Sequence, residues 1–208
     1  MISNSKRKSY IEQVCQVYHA HDQSQSDRLQ RLRSIEPVSA ELLSFIVLSK
    51  QAKHILEIGT SGGYSTLWLA DAALRAQGHI TSLDIDDTRQ QIAKKHLEHI
   101  KLDNCVTLIC QDALAFLQDN HQCYDVVLLD AERQFYCDYW CHLKKCLSQA
   151  GGVLIVDNVI SHAEQVQDFI KLVASDDQFS HSIVPVGAGL LLAVRQNDIT
   201  KDAYDKLL

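Results

Sequence analysis

The sequence predicts an α/β protein, a doubly wound, mostly parallel seven-stranded sheet that ends in a C-terminal antiparallel hairpin. Three observations predict it. Short apolar runs alternate with amphipathic segments from about residue 54 to residue 173, the pattern of strands joined by crossover helices. Several of those runs, VVLL and VLIV among them, are unbroken in apolar residues, as strands covered on both faces are. Four of them close on an acid: Glu57, Asp84, Asp130 and Asp157. In a doubly wound sheet the C-terminal strand ends share one edge, so these carboxylates converge on one crevice.

Residues 5–33 are polar with helical spacing, Ile11, Val14, Cys15 and Tyr18 marking one face and Leu29, Leu32 and Ile35 a second. The DQSQS stretch after His19-Ala-His21 predicts a break between two short helices. Residues 1–36 are thus expected to form a helical cap on a single domain spanning 1–208. Pro37 opens a helix running through Glu41–Lys50, with Leu42, Leu43, Ile46 and Val47 facing inward. Ile55, Leu56 and Ile58 form a strand, Gly59, Gly62 and Gly63 break it, and Leu67, Trp68 and Leu69 resume at helical spacing. Strands then follow at His79–Leu83, Val106–Cys110, Tyr124–Leu129 and Val153–Val156. Helices follow at Arg89–Ile100, Ala113–Leu117, Tyr136–Leu147 and Ala163–Val173. Strands near Ser182–Val186 and Leu190–Val194 flank Gly187 and Gly189 as a hairpin.

Composition narrows the function. At 208 residues and 46% hydrophobic, the chain is long enough for one good core. A net charge of −6 disfavours broad phosphate binding, without excluding one small nucleic-acid substrate. No apolar run approaches the roughly 20 residues of a membrane span, and the charged N-terminus lacks the apolar core of a signal peptide. Seven cysteines without a CxxC pair argue against a disulfide framework and for a reducing cytoplasm.

The chemistry lies at the strand ends. Gly59-Thr60-Ser61-Gly62-Gly63 is spaced G-x-x-G-G, which fits neither the dinucleotide fingerprint nor a P-loop. Asp84, ending the next strand, lies where ribose hydroxyls are accepted, so turn and acid together point to a nucleoside ligand. Asp130, Asp157 and Asn158 are hard oxygen donors suited to Mg²⁺, Mn²⁺ or Ca²⁺; the alternative is that Asp157-Asn158 only caps the helix near Ala163. Cys137, Cys141 and Cys146 with His142 match no zinc spacing and are expected to be buried thiols. Of Tyr136, Tyr139 and Trp140, two of the three are expected in the core, and His162 is read as a helix-start residue.

These segments, LEIGTSGGYS at 56–65, SLDID at 82–86, QDAL at 111–114, LLDAERQFY at 128–136, VDNVI at 156–160 and GAGLLLAVR at 187–195, run in the order of a known family. The chain resembles the class I S-adenosylmethionine-dependent methyltransferases. More narrowly, it is similar to the cation-dependent O-methyltransferases that include catechol and caffeoyl-CoA O-methyltransferases and their small bacterial relatives. The resemblance implies a Rossmann-like methyltransferase fold and transfer of a methyl group to a small catechol-like acceptor. It implies that Glu57, Gly59 and Ser65 hold the methionine moiety of the cofactor, Asp84 the ribose, and that Asp112 and Ala113 border the adenine, with Thr60 and Asp130 also cofactor-binding. It implies a divalent cation, Mg²⁺ first, on Asp130, Asp157 and Asn158, with Asp130 and Arg133 catalytic, and a homodimer as the assembly.

Two positions depart from the family pattern. Arg133 stands where a lysine in a DxxK pattern is usual, and arginine cannot take a proton at neutral pH. It can still stabilise an oxyanion, and Glu132 beside it is a candidate base. Gln111 replaces a usual glycine. Alternative readings are a tRNA hydroxyuridine O-methyltransferase, a cofactor-binding protein with weakened catalysis and, disfavoured by the glycine spacing, a nicotinamide oxidoreductase.

Overall fold

The computed structural model describes residues 2–27, 30–149 and 151–197. Helix α1 (Asn4–Ser24) forms because Ile11, Val14, Cys15 and Tyr18 recur at the i, i+3, i+4, i+7 spacing of one buried stripe. Burying each large side chain of that stripe contributes about 1.5–3 kcal/mol. Arg7 on the same helix forms a buried ion pair with Asp71 and donates from Nη1 to the Ile2 carbonyl at 2.6 Å.

The N-terminal expectation needs correction. The break falls inside DQSQS as expected, α1 ending at Ser24, but residues 31–36 form an irregular strap, with Arg33 at φ +51°, rather than a second helix. Leu29 lies outside the described residues. The physical reason for the strap is Pro37: its ring disfavours the helical region for the residue before it, and Glu36 is extended at φ −62°, ψ 142°. Helix α2 (Pro37–Lys50) starts at that proline.

The expected alternation follows. Strand β1 (His54–Ile58) leads to α3 (Tyr64–Ala76), β2 (His79–Asp84), α4 (Asp87–His99) and β3 (Val106–Cys110). Then come α5 (Ala113–Asp119), β4 (Val126–Leu129), α6 (Tyr136–Cys146), β5 (Val153–Val156) and α7 (Ala163–Ala174). The chain closes with β6 (Phe179–Val184) and β7 (Leu190–Arg195). Strand order is β3-β2-β1-β4-β5-β7-β6. The first five strands are parallel, and β7 runs antiparallel to both β5 and β6. The closing hairpin is therefore there, with β7 inserted beside β5 and β6 at the edge.

Alternation along the strands separates two cores. Ile55, Val126, Leu128 and Ile155 pack under α1, α2 and α3, while Leu56, Ile58, Leu129 and Val156 pack under α5, α6 and α7. The chain leaves β1 for β2 and β3 on one side and returns to β4 on the other. That reversal opens a crevice at the C-terminal ends of β1 and β4. Among the described residues no helix is long and apolar enough to cross a membrane. The domain expectation of 1–208 extends past the described residues at its C-terminus.

Candidate active site at the sheet's switch point

A cavity of about 610 Å³ opens at this crevice, inside the usual range for small-ligand sites. It is bounded by the glycine turn, the ends of β2, β4 and β5, the start of α5 and the strap.

The glycine turn is shaped first by the protein itself. Gly59 lies at φ +109°, and a Cβ there would sit 2.0 Å from the Asp130 carbonyl oxygen. Gly62 faces the Tyr18 ring, whose hydroxyl donates to the Gly62 carbonyl at 2.7 Å. The backbone N–H groups of Gly59 and Thr60 both reach the Leu83 carbonyl. Asp84 fixes the next residue by accepting from the Ser61 N–H at 2.7 Å, and its other oxygen accepts from the Asp86 N–H at 3.0 Å. Gly59, Thr60, Ser65 and Asp84 all line the cavity.

Glu57 does not. It lies on the α3 face of β1, in register with Ser82, fully buried, and accepts hydrogen bonds from the hydroxyls of Ser65, Thr66 and Ser82. Burial pushes its carboxyl up to about 7, against the lowering effect of those donors. It meets the cavity through Ser65 and, by way of Ser82, through Thr60.

At the next strand ends, Asp112 and Ala113 line the cavity beside Gln111, and Asp112 caps α5 by accepting from the Ala115 N–H at 2.9 Å. Asp130 and Asp157 are brought together by one amide: Asn158 Nδ2 donates to Asp157 Oδ2 at 2.8 Å and reaches Asp130 Oδ1 at 3.4 Å. Asn158 takes φ +66° to do so, a conformation asparagine tolerates better than most residues. Burial raises both carboxyls above the usual range, Asp130 raising Asp157 further, while Arg133 and Arg33 pull Asp130 back down. Asp157 is 2% exposed, and its Oδ1 has no hydrogen-bond partner among the described residues.

An orphaned buried carboxylate oxygen beside a second carboxylate is what a hard cation would satisfy. Among the described residues no cluster of three or more His, Cys, Asp or Glu side chains is arranged for a metal; the set here has two carboxylates and one amide. Asn158 presents its NH₂ group to them, so offering oxygen requires the amide to turn over. With that rotation the donors fit a Mg²⁺-type ion.

Arg133 lies on a short 3₁₀ turn after Asp130, lines the cavity and donates to Gln165 Oε1 at 3.4 Å. Glu132, the candidate base, is 57% exposed on its side chain and paired with Arg33 of the strap at 3.3 Å. Tyr136, Tyr139 and Trp140 all belong to the core, where two of the three were expected, and Tyr139 with Phe135 also lines the cavity. His162 precedes α7 and also lines the cavity. The buried-thiol expectation holds for Cys146 alone; Cys137 and Cys141 face outward from α6 and are exposed.

The strap was the part not anticipated. Asp22 at the end of α1 accepts from the Leu32 and Arg33 N–H groups at 2.7 and 2.8 Å, and Ser61 donates to the Leu32 carbonyl at 2.8 Å. Arg31 to Glu36 therefore form one wall of the cavity. The signal for it was the proline at 37, which disfavours a helix immediately before it.

A doubly wound sheet with Asp84 and the paired carboxylates Asp130 and Asp157 around a cavity at its switch point defines an α/β protein built to take a small ligand there. The chain matches the sequence profile of the O-methyltransferase family over residues 6–196 and belongs to that family. It is similar to the catechol O-methyltransferase of Niastella koreensis, 30% identical over 131 residues that cover 61% of this chain and 58% of that protein. It is also similar to a Bacillus cereus O-methyltransferase solved in complex with SAH, at TM-score 0.75 and 28% identity, covering 90% of this chain and 91% of that one. The O-methyltransferase TomG from Streptomyces achromogenes shares the fold at TM-score 0.76 and 24% identity, with 90% of each chain covered.

Proposed function

We propose that the protein transfers the methyl group of S-adenosylmethionine to a hydroxyl of a small catechol-like acceptor, with a divalent cation on Asp130, Asp157 and Asn158. The observation that carries the cation is the unpartnered, buried Oδ1 of Asp157 beside Asp130. S-adenosylmethionine is supported by family membership, by the SAH complex of the Bacillus cereus relative and by the free lone pairs of Asp84 at the mouth of the glycine turn.

The chain's own residues divide the work. Asp84 accepts from ribose hydroxyls, Asp112 and Ala113 border the base, and Gly59, Thr60 and Ser65 enclose the methionine end. Glu57 is a positioning residue that holds Ser65. A divalent ion bound at the carboxylates would acidify a hydroxyl it polarises. Arg133 and Arg33 offset the negative charge that gathers near Asp130. Ile35, Phe135 and Tyr139 supply apolar walls for a planar ring, and the strap limits access of water. Holding the acceptor oxygen in line with the methyl supplies much of the acceleration. A cavity of this size, walled by Glu36, Glu132, Asp130 and Asp157, favours a small acceptor over tRNA.

The test combines calorimetry and methyl transfer. SAH binds, labelled methyl passes to a catechol, and chelation or Asp157→Ala abolishes turnover while SAH binding persists. Full turnover in chelator and in Asp157→Ala would refute the cation, and label entering tRNA in place of catechols would refute the acceptor class.

A further inference from the structure

Methyl transfer to a hydroxyl needs a group that receives the hydroxyl proton, and the cavity restricts the choice. Arg133 is permanently protonated. Burial pushes the Tyr139 phenol up to about 12, so it is a donor at neutral pH. Glu132 points its charge at Arg33, and Asp157 is 2% exposed and held by the Asn158 amide. Glu36 differs from all of these. It is the last residue of the strap and lines the same cavity. Its carboxylate has no hydrogen-bond or ion-pair partner among the described residues. The side chain sits against Gly187, where a Cβ would come within 2.9 Å of the Glu36 Cβ, which holds its stem against the β6–β7 turn. The next residue of that turn, Ala188, accepts from the Ile160 and Ser161 N–H groups just after Asn158, so Glu36 lies on the carboxylate side of the cavity, and it is exposed.

We infer that Glu36 is the general base of this enzyme, taking the acceptor hydroxyl's proton and passing it to solvent. The assignment rests on the O-methyltransferase reading above. The O–H pair stays on oxygen, which forms the new bond to the methyl carbon. The carbon–sulfur bond breaks with its pair on sulfur, leaving a methyl ether, SAH and protonated Glu36. The exposure that makes Glu36 unremarkable as a surface acid is what lets it release that proton between turnovers.

The experiment compares Glu36→Gln, Glu36→Asp and His162→Gln in the full-length protein with S-adenosylmethionine, Mg²⁺ and a catechol. Glu36→Gln should lower kcat by about 10²-fold or more, with the Kd for SAH within twofold of wild type, and Glu36→Asp should recover part of the loss. A second readout is independent of turnover: 4-nitrocatechol bound with SAH, titrated by its absorbance, should ionise at lower pH in Glu36→Gln than in wild type, because the glutamate's charge opposes a second anion beside it. The inference is overturned if Glu36→Gln keeps kcat within threefold, if the loss falls on His162→Gln instead, or if the nitrocatechol titration does not move. If wild type neither binds SAH nor methylates any diol, the underlying reading fails, and this assignment fails with it.

Discussion

Glu57→Gln should flatten the pH dependence of folding stability. The carboxyl is fully buried under α3, and its folded-state value is raised from 4.5 to about 7, with burial as the largest cause. A group raised in the folded state holds its proton more tightly there than in the unfolded chain, so its contribution is most favourable below about 4.5. It is lost progressively as pH rises to about 7, and is constant above that. At 1.36 kcal/mol per unit, the loss across this window is about 3 kcal/mol. Asp130 and Asp157, also raised, act in the same direction, so wild type alone cannot isolate Glu57. The difference between wild type and Glu57→Gln can, because glutamine keeps the shape and cannot ionise. Urea unfolding at pH 5, 6, 7 and 8 should show the variant gaining on wild type by about 2–3 kcal/mol from the first pH to the last. Parallel curves would mean that the hydroxyls of Ser65, Thr66 and Ser82 fully compensate the buried charge, and the reasoning would be wrong.

Two further substitutions test the frame around the site. Gly59→Ala forces a methyl onto the Asp130 carbonyl at a φ of +109°; a loss above about 2 kcal/mol, with SAH binding abolished, is expected from thermal melts and calorimetry. Arg7→Met leaves Asp71 buried with, among the described residues, only the exposed Arg75 at 3.9 Å to answer it, so about 3 kcal/mol should be lost, the low end for a broken buried pair. Adding Asp71→Leu should recover most of that in chemical denaturation, which a purely steric role for Arg7 would not allow.

The sheet was legible because its strands are short and apolar, and Asp84, Asp130 and Asp157 mark where β2, β4 and β5 stop. The convergence of Asp84, Asp130 and Asp157 follows from parallel topology alone. Side-chain direction was the harder part, yet for Glu57 the information was present. Residues two apart share a face of a strand, so Glu57 goes with Ile55 beneath α3 and away from Leu56 and Ile58. The hydroxyls of Ser65 and Thr66 at the start of α3, and of Ser82 at the matching register, are what make a buried acid tolerable there. Periodicity failed over residues 31–35 for the opposite reason: Leu32 and Ile35 are apolar at helical spacing, but they bury against the core from an irregular strap. Spacing counts residues and cannot tell three residues of helix from three of extended chain when only two anchors are seen. The decisive signal was Pro37, which constrains the backbone before it whatever the side chains prefer. That constraint holds Glu36 extended at the start of α2, where an otherwise ordinary surface glutamate becomes part of the cavity wall.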